Sequence, residues 1–146
     1  MSVKPRVFLD ASCWVAAAGS VSGGSALILK LARAGRIEIV ATRRILREAE
    51  LNIRDKLGKK ALLRYYEELG ALEITLEDEP TLDEESEWRS LTDEKDRQVL
   101  SAAFKARVDV LVSLDRRHIL TPRVKEGFPI PVRDTKTFLE SLTEGI

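Results

Sequence analysis

Two aspartates in this chain directly follow apolar segments that are predicted to be buried strands. Asp10 follows the predicted strand at residues 7–9, and Asp115 follows the predicted strand at residues 108–114. Each aspartate alone is more typical of a turn or a helix cap. Two acids that directly follow two buried strands are stronger evidence of an active site, because parallel-sheet enzymes place catalytic and binding residues beyond the carboxyl ends of their strands. This pattern makes both aspartates candidate active-site residues.

Asp96 stands at the head of a helix predicted over residues 96–107. Val99, Leu100 and Ala103 lie three, four and seven residues further on, so they share its helix face. That apolar face must be buried, and the carboxylate on it would point over the sheet rather than into water. The helix dipole favours an aspartate there by at most about 1 kcal/mol, whereas burial without a partner costs more. A bound metal ion would offset the free-energy cost of burying the Asp96 carboxylate.

Glu48 is the fourth candidate acid, on a helix predicted to follow the N-cap residue Thr42. At about 100° per residue, Glu48 lies beside Ile45 at one margin of the apolar face, and Glu50 lies at the other margin. Helix geometry alone does not decide between the two glutamates. Either one, taken alone, is typical of a solvated helix surface.

Strands and helices must alternate along the chain to position these acids. Strands are predicted at residues 7–9, 37–41, 72–76 and 108–114, and within 128–132. Helices are predicted from the cap Ser25 to Gly35, after Thr42, at 59–69 with an end at Gly70, and at 84–90, 96–107 and 135–142. Such alternation predicts a parallel sheet of about five strands that is covered by helices on both faces.

Length and composition predict one globular domain over residues 1–146. No apolar run approaches the roughly 18 residues that cross a bilayer, and no signal-peptide pattern is present, so we expect a cytoplasmic protein without a membrane. Cys13 is the only cysteine, which excludes an internal disulfide and a zinc site of its own.

The formal net charge is zero, so overall charge would not attract nucleic acid. Basic residues nevertheless concentrate between residues 30 and 64, and acidic residues between 73 and 87. This asymmetry fits two solvated faces, and it also fits a basic surface for a phosphate backbone that is separate from an acidic surface.

Taken together, the order and spacing of the four acids resemble those of the PIN-domain nuclease family. Each matching segment contains one acid, and the segments are residues 7–12, 42–48, 95–103 and 110–115. The motifs are short and degenerate, so their order and spacing carry the specificity. The resemblance spans nearly the whole chain. The family includes the VapC-type toxin ribonucleases of VapBC toxin–antitoxin pairs, which have about this length.

The resemblance implies a PIN-like three-layer α/β/α sandwich with a central, mainly parallel sheet of about five strands and the first strand in the middle. It implies that Asp10, Asp96 and Asp115 bind Mg²⁺ or Mn²⁺, whose hard character suits carboxylate oxygen. Glu48, rather than Glu50, takes the matching position and would be a further ligand or would orient the attacking water.

The resemblance also implies what surrounds the acids and what the chain acts on. Ser12 and Ser113 would support metal-bound water or a neighbouring carboxylate. The implied activity is endonucleolytic hydrolysis of RNA phosphodiester bonds. The implied partners are the RNA substrate, an antitoxin if the chain is a toxin, and a second copy of the chain in a homodimer.

Arginines near the acids are candidates for contact with RNA phosphates, because the guanidinium group suits a phosphate geometrically. They are Arg116 and Arg117 after the fourth acid, and Arg43 and Arg44 before Glu48. A solvated surface position stays open for each. His118, the only histidine, could contact a phosphate, but a surface or packing role is the more typical one.

Other functional classes fit less well. A haloacid-dehalogenase-like phosphatase needs a second aspartate two residues after Asp10, where this chain has Ser12. A response-regulator receiver needs acids just before the strand-one aspartate, where this chain has Phe8 and Leu9. Two alternatives within the same fold stay open, a free-standing nuclease in RNA maturation or decay and a non-catalytic scaffold or RNA-binding module. Such scaffolds typically lose one or more acids, and all four are present here.

Overall fold

A computed structural model describes residues 4–144 of the chain. The predicted domain, residues 1–146, therefore includes residues 1–3 and 145–146, which lie outside the described residues. Five strands are present in this part: β1 (Arg6–Leu9), β2 (Glu38–Ala41), β3 (Ile74–Leu76), β4 (Val110–Val112) and β5 (Val132–Arg133). They form one sheet in the order β3-β2-β1-β4-β5, and all four pairings are parallel.

Helices flank the sheet and connect its strands. They are α1 (Ala11–Gly19), α2 (Gly24–Arg33), α3 (Arg43–Lys56), α4 (Lys59–Ala71), α5 (Leu82–Ser86), α6 (Glu94–Lys105), α7 (Pro122–Gly127) and α8 (Thr135–Thr143). Helix α1 packs against α2, α3 and α4, whereas α5 packs against α6. The predicted α/β/α sandwich with a central parallel sheet is confirmed.

The first strand lies at the centre of the sheet and is buried on both faces. Val7, Phe8 and Leu9 are all fully buried, as are the last three residues of β2. Continuous apolar runs of this kind are typical of parallel strands that are covered on both sides. Only the first residues of the two strands are polar, and they pair with each other, with Arg6 Nη1 2.8 Å from Glu38 Oε2.

Strand register brings the carboxyl ends of β1 and β4 together. Leu9 is paired with Val112, and the N–H of Asp10 donates to the carbonyl of Val112 at 3.0 Å. The strand order reverses at this pair, since β2 and β3 continue on one side and β4 and β5 on the other. A crevice forms at such a switch point beyond the strand ends. Asp10 is therefore placed beside the segment that carries Asp115.

Several predicted helix boundaries differ from those of the structure. Helix α2 begins at Gly24 with Gly23 as its N-cap, so Ser25 is inside the helix rather than its cap. Helix α4 continues through Gly70 to Ala71, because a helical glycine costs only about 1 kcal/mol. Helix α6 begins at Glu94, which makes Asp96 its third residue.

Strands β2, β3 and β4 are shorter than predicted, and β5 is shifted towards the C-terminus. Strand β2 begins at Glu38 rather than residue 37, and β3 begins at Ile74 rather than residue 72. Strand β4 covers Val110–Val112 rather than residues 108–114, and β5 begins only at Val132. Proline explains the late start of β5, because Pro129 and Pro131 have no N–H to donate to a ladder. Pro131 contributes its carbonyl alone, which accepts from the N–H of Leu111 at 3.0 Å.

Two helices were not predicted at all, namely α1 and α7. Helix α5 also starts earlier than the predicted residues 84–90, because Thr81 and Glu84 form a reciprocal capping box. Within residues 4–144, no single helix has the length and apolar character of a membrane span. Helices α1 and α2, which meet at a 97° bend, satisfy that test as a pair by length and composition only.

Candidate active site

A cavity of about 260 Å³ lies beyond the carboxyl ends of β1 and β4. All four acids predicted from the sequence line it, although they come from four different parts of the chain. The full lining consists of Asp10, Ser12, Val15, Glu48, Asn52, Lys56, Lys95, Asp96 and Asp115. The fold therefore brings the predicted acids together around one space.

Asp10 is almost excluded from solvent, at 6% exposure, and is the N-cap residue of α1. Its Oδ1 accepts a hydrogen bond from the N–H of Ala11 at 2.7 Å, and its Oδ2 accepts one from Ser113 Oγ at 2.8 Å. Burial raises the pKa of Asp10, and the bonds from Ser113 and Ala11 oppose that effect. The carboxylate is thus fixed in place, yet its ionised form carries an electrostatic penalty.

Asp115 lies three residues beyond the end of β4. Its Oδ1 accepts hydrogen bonds from the N–H groups of Arg117 and His118, both at 3.0 Å. Its own N–H donates to Ser113 Oγ at 3.0 Å. Ser113 thus donates to Asp10 and accepts from the backbone of Asp115. One buried hydroxyl fixes the two acids relative to each other.

Ser12 makes a second link between the same segments. Its Oγ lies 3.4 Å from Asp10 Oδ2 and accepts a hydrogen bond from the N–H of Leu114 at 3.1 Å. Both serines therefore contact the Asp10 carboxylate. Contact of either serine with metal-bound water stays a prediction.

Asp96 projects from the first turn of α6, and its side chain is 15% exposed. Val99, Leu100 and Ala103 on the same face are buried, as the helix periodicity predicted. Burial and the neighbouring Asp93 carboxyl raise the pKa of Asp96 to about 7. The pKa of Asp93 is lowered by its hydrogen bond with Asp96.

His118 contacts the acid cluster, which the sequence analysis did not anticipate. Its Nδ1 lies 3.2 Å from Asp115 Oδ2 and 3.8 Å from Asp96 Oδ2, and its Nε2 lies 3.7 Å from Asp93 Oδ2. The hydrogen bond with Asp115 raises the pKa of His118. His118 follows Asp115 by only three residues, and this spacing was the feature of the sequence that could have predicted their contact.

The tertiary structure places Glu48 and Glu50 in different surroundings. Glu48 lines the cavity. Glu50 instead accepts hydrogen bonds from Arg47, at 3.0 Å, and from the hydroxyl of Tyr66. Burial, followed by the negative charge of Asp10, raises the pKa of Glu48. Geometry therefore favours Glu48 as the site residue.

The four predicted arginines do not line the cavity. Arg44 Nη1 lies 3.7 Å from Glu85, and Arg116 Nη2 lies 3.2 Å from Asp134. Arg43 and Arg117 are exposed. Contact of these arginines with RNA phosphates stays a prediction, and such contacts would lie outside the cavity.

Three polar residues of the cavity were not singled out from the sequence, namely Asn52, Lys56 and Lys95. Asn52 and Lys56 follow Glu48 by four and eight residues, so helix periodicity places all three on one face. Lys95 directly precedes Asp96. These spacings are visible in the sequence of both helices. They indicate cavity residues only once it is known that Glu48 faces the cavity.

The donor set fits a hard divalent cation. Carboxylate oxygens are the ligands that Mg²⁺ and Mn²⁺ prefer. The raised pKa values of Asp10, Glu48 and Asp96 mean that close, partly buried negative charges oppose ionisation, and a cation removes that opposition. Asp10, Asp96 and Asp115 are the residues that would hold it.

The tightest group of ligand atoms differs from this predicted trio. Among the residues that the structure describes, one oxygen each of Asp93 and Asp96 and a ring nitrogen of His118 lie within 4.8 Å of one another. Asp10 and Asp115 face the same cavity from the strand ends. Because Mg²⁺ keeps several water ligands, not every carboxylate has to touch it directly. We therefore retain the predicted trio, whose three members all line the cavity.

A larger cavity of about 390 Å³ lies between α1, α2 and α4, away from these acids. None of the predicted site residues lines it. Its walls combine apolar side chains such as Trp14 and Leu29 with charged residues of both signs, namely Lys30, Arg33, Arg64, Glu67 and Glu68. Size alone would favour this cavity as the active site, but its two carboxylates are neighbours on one helix, and Glu68 is paired with Arg33, so they do not form a cluster like that of the four acids.

The raised pKa of Asp96 predicts a pH-dependent stability. Between the usual aspartate pKa of 3.8 and about 7, the folded chain binds a proton that the unfolded chain has lost. The free energy of unfolding therefore falls as pH rises through this window. We expect Asp96→Asn, which cannot ionise, to raise that free energy by about 1–2 kcal/mol at about pH 8, and by less at about pH 4.5.

Urea denaturation in EDTA at the two pH values measures this difference. Asp55→Asn is the matched control, because Asp55 is exposed on α3. An equal change in stability at both pH values would contradict the interpretation.

Comparison with known proteins places the chain in a family. A PIN-domain family model matches residues 6–117. No curated protein matches the chain significantly. The solved structure of Mycobacterium tuberculosis VapC20, described as a sarcin–ricin loop cleaving toxin, is similar with a TM-score of 0.56 and 17% identity, over 84% of this chain and 95% of that one.

Two further solved structures share the fold. PAE2754 from Pyrobaculum aerophilum has a TM-score of 0.63 and 20% identity, over 96% of this chain and 90% of that chain. VapBC2 from Rickettsia felis, bound to a DNA fragment from its promoter, has a TM-score of 0.60 and 15% identity, over 88% of this chain and 98% of that chain. At these identities the likeness shows the fold. The family match runs from β1 to the turn after β4 and so includes all four acids, and the chain accordingly belongs to the PIN-domain family.

Proposed function

We propose that the chain is a divalent-metal-dependent endoribonuclease that hydrolyses RNA phosphodiester bonds. The observation that carries this proposal is the convergence of Asp10, Glu48, Asp96 and Asp115 on one cavity at the switch point of the sheet. Membership in the PIN-domain family supports it. So does the shared fold with VapC20, which is described as a toxin that cleaves the sarcin–ricin loop.

In this proposal Asp10, Asp96 and Asp115 hold Mg²⁺ or Mn²⁺. When bound, the cation lowers the pKa of water and neutralises charge that develops on the phosphate. Ser113 keeps the Asp10 carboxylate and the backbone of Asp115 in place through its two hydrogen bonds. The acids are therefore positioned before the substrate arrives, which favours catalysis.

Glu48 has the surroundings expected of a group that positions the attacking water. It lies on a different element from the aspartates, and burial raises its pKa towards the range in which a carboxylate can accept a proton. Hydrolysis then joins the water oxygen to phosphorus while the bond from phosphorus to the leaving oxygen breaks. The proton released from the water passes to Glu48, and the leaving oxygen takes up a proton from solvent water.

We further propose that the chain is the toxin of a toxin–antitoxin pair rather than a free-standing nuclease. Two of the solved structures that share its fold carry VapC or VapBC names, and one of them is a VapBC complex. An antitoxin, a second copy of the chain and a cytoplasmic location follow from this role. Toxicity of the expressed chain, with relief by the product of an adjacent gene, tests the role.

The proposed activity is tested by incubating the purified chain with a mixture of structured and single-stranded RNAs. We expect internal cleavage in Mg²⁺ or Mn²⁺, because the carboxylates need a cation to bind a phosphate, and no cleavage in EDTA. Addition of excess Mn²⁺ should restore cleavage. If the chain binds RNA with the cation and leaves it uncut, the non-catalytic RNA-binding alternative is correct.

A further inference from the structure

Two lysines share the cavity with the four acids. Lys56 is the last residue of α3, and Lys95 is the second residue of α6, directly before Asp96. Both side chains line the cavity. Their charges act on Glu48, because Lys95 and Lys56 oppose the effects that raise its pKa. Two lysines from two different helices thus line the same cavity as the acids.

Neither lysine is engaged by an acid. In the part of the chain that the structure describes, no carboxylate oxygen lies within 4.0 Å of either ammonium group, whereas Lys105 has Glu84 at 3.0 Å. Both lysines are also exposed. A lysine offers three rotatable donors on a flexible stem. Each therefore keeps its donors for an anion that enters the cavity.

Charge balance points to a phosphate as that anion. Four carboxylates line the cavity with two lysines, and a divalent cation would bring their formal sum to zero. With a cation held by the acids, an incoming phosphodiester would meet a cavity without net negative charge whose lining includes two lysines. Without the lysines the same cavity would remain negative and would repel RNA.

We propose that Lys56 and Lys95 bind RNA phosphates on either side of the scissile one, so that the strand crosses the cavity from the end of α3 to the start of α6. This inference rests on the proposed ribonuclease function. It assigns the contacts with the RNA phosphates nearest the acids to these two lysines rather than to the four arginines predicted from the sequence. The charge of Arg44 also acts on Glu48, but neither Arg44 nor any of the other three predicted arginines lines the cavity.

The test measures binding of a fluorescent single-stranded RNA in Mn²⁺ over a range of salt concentrations. It uses the Asp10→Asn background, in which cleavage of the RNA is expected to be at least about 100-fold slower. We expect Lys56→Gln and Lys95→Gln each to weaken binding by about tenfold, equivalent to one lost contact of about 1.4 kcal/mol. Each should also reduce the slope of log affinity against log salt by about 0.7, the value for one single-strand phosphate.

Lys59→Gln is the matched control, since Lys59 is an exposed lysine of α4 that does not line the cavity. It should leave affinity and slope unchanged, and Lys56→Arg should retain most of the binding because it keeps the charge. Lysine variants that match Lys59→Gln would overturn the inference. So would weaker binding with an unchanged salt slope, which would mean that the lysines act only through the shape of the site.

Kinetics with the otherwise wild-type chain separate this inference from the proposed function. If the wild type cleaves RNA, Lys56→Gln and Lys95→Gln should raise KM by about tenfold and change kcat by less than about threefold. An unchanged KM would overturn the proposed role of the lysines but would not affect the proposed ribonuclease function. If the wild type does not cleave, the nuclease proposal fails, and the RNA-binding measurement still decides the lysine contacts.

Discussion

Asp10→Asn is expected to reduce metal-dependent RNA cleavage by at least about 100-fold, equivalent to about 2.7 kcal/mol of transition-state stabilisation. Asparagine has the shape of aspartate, so its side-chain oxygen can still accept the N-cap bond from Ala11. The substitution removes the negative charge next to the cation. Asp96→Asn should produce a similar loss. Initial cleavage rates at saturating Mn²⁺ measure the effect, and circular dichroism verifies the fold.

Glu50→Gln provides the matched control for these variants. Glu50 lies on the same helix as Glu48 but is bonded to Arg47 and Tyr66 outside the cavity. Its loss should change the cleavage rate by less than about twofold, as for other surface substitutions. Full activity of folded Asp10→Asn or Asp96→Asn would show that the acid cavity is not the active site.

Trp14→Ala is expected to lower the free energy of unfolding by about 3–5 kcal/mol, the largest stability effect that we predict. Trp14 is 1% exposed and meets the ring of Tyr65 edge to face at a centroid distance of 6.2 Å. Its contacts hold α1 against α4, and α1 begins directly after Asp10. Urea denaturation measures the loss.

Trp14→Phe separates packing from hydrogen bonding at this position. Among the described residues, the indole N–H of Trp14 has no hydrogen-bond partner. Phenylalanine keeps an aromatic ring and removes that unpaired donor, so we expect a cost of only about 1 kcal/mol. A Trp14→Ala cost below that of Trp14→Phe would contradict a packing role for the indole ring.

The positions of Asp10 and Asp115 were predictable because parallel strands end at a common edge, whichever residues follow. The central place of β1 came from the family resemblance, since periodicity gives no strand order. Helix periodicity did not decide between Glu48 and Glu50, and the choice of Glu48 came from the family resemblance. Both lie at margins of one apolar face, and only packing against the sheet decides which margin meets the acids.

The missed elements have physical reasons. Helix α1 consists mainly of small and apolar residues without a polar face, so it lacks the periodicity that marks a surface helix. Helix α7 has only six residues, although Thr121 as N-cap with Pro122 at its first position is a recognised start signal. The contacts of His118 with Asp93 and Asp96 join segments whose proximity follows from the tertiary fold.

Thermal unfolding with and without Mn²⁺ tests most directly whether the acids hold a divalent cation, because it requires no knowledge of the RNA substrate. A cation bound only by the folded chain stabilises it by about 2.7 kcal/mol at 100 times its dissociation constant, which corresponds to a rise in Tm of roughly 5–10 °C for a chain of this size. We predict such a rise at about pH 8 for the wild type and little or none for Asp96→Asn. A wild-type Tm that does not respond to Mn²⁺, or an equal rise in both proteins, would contradict the account.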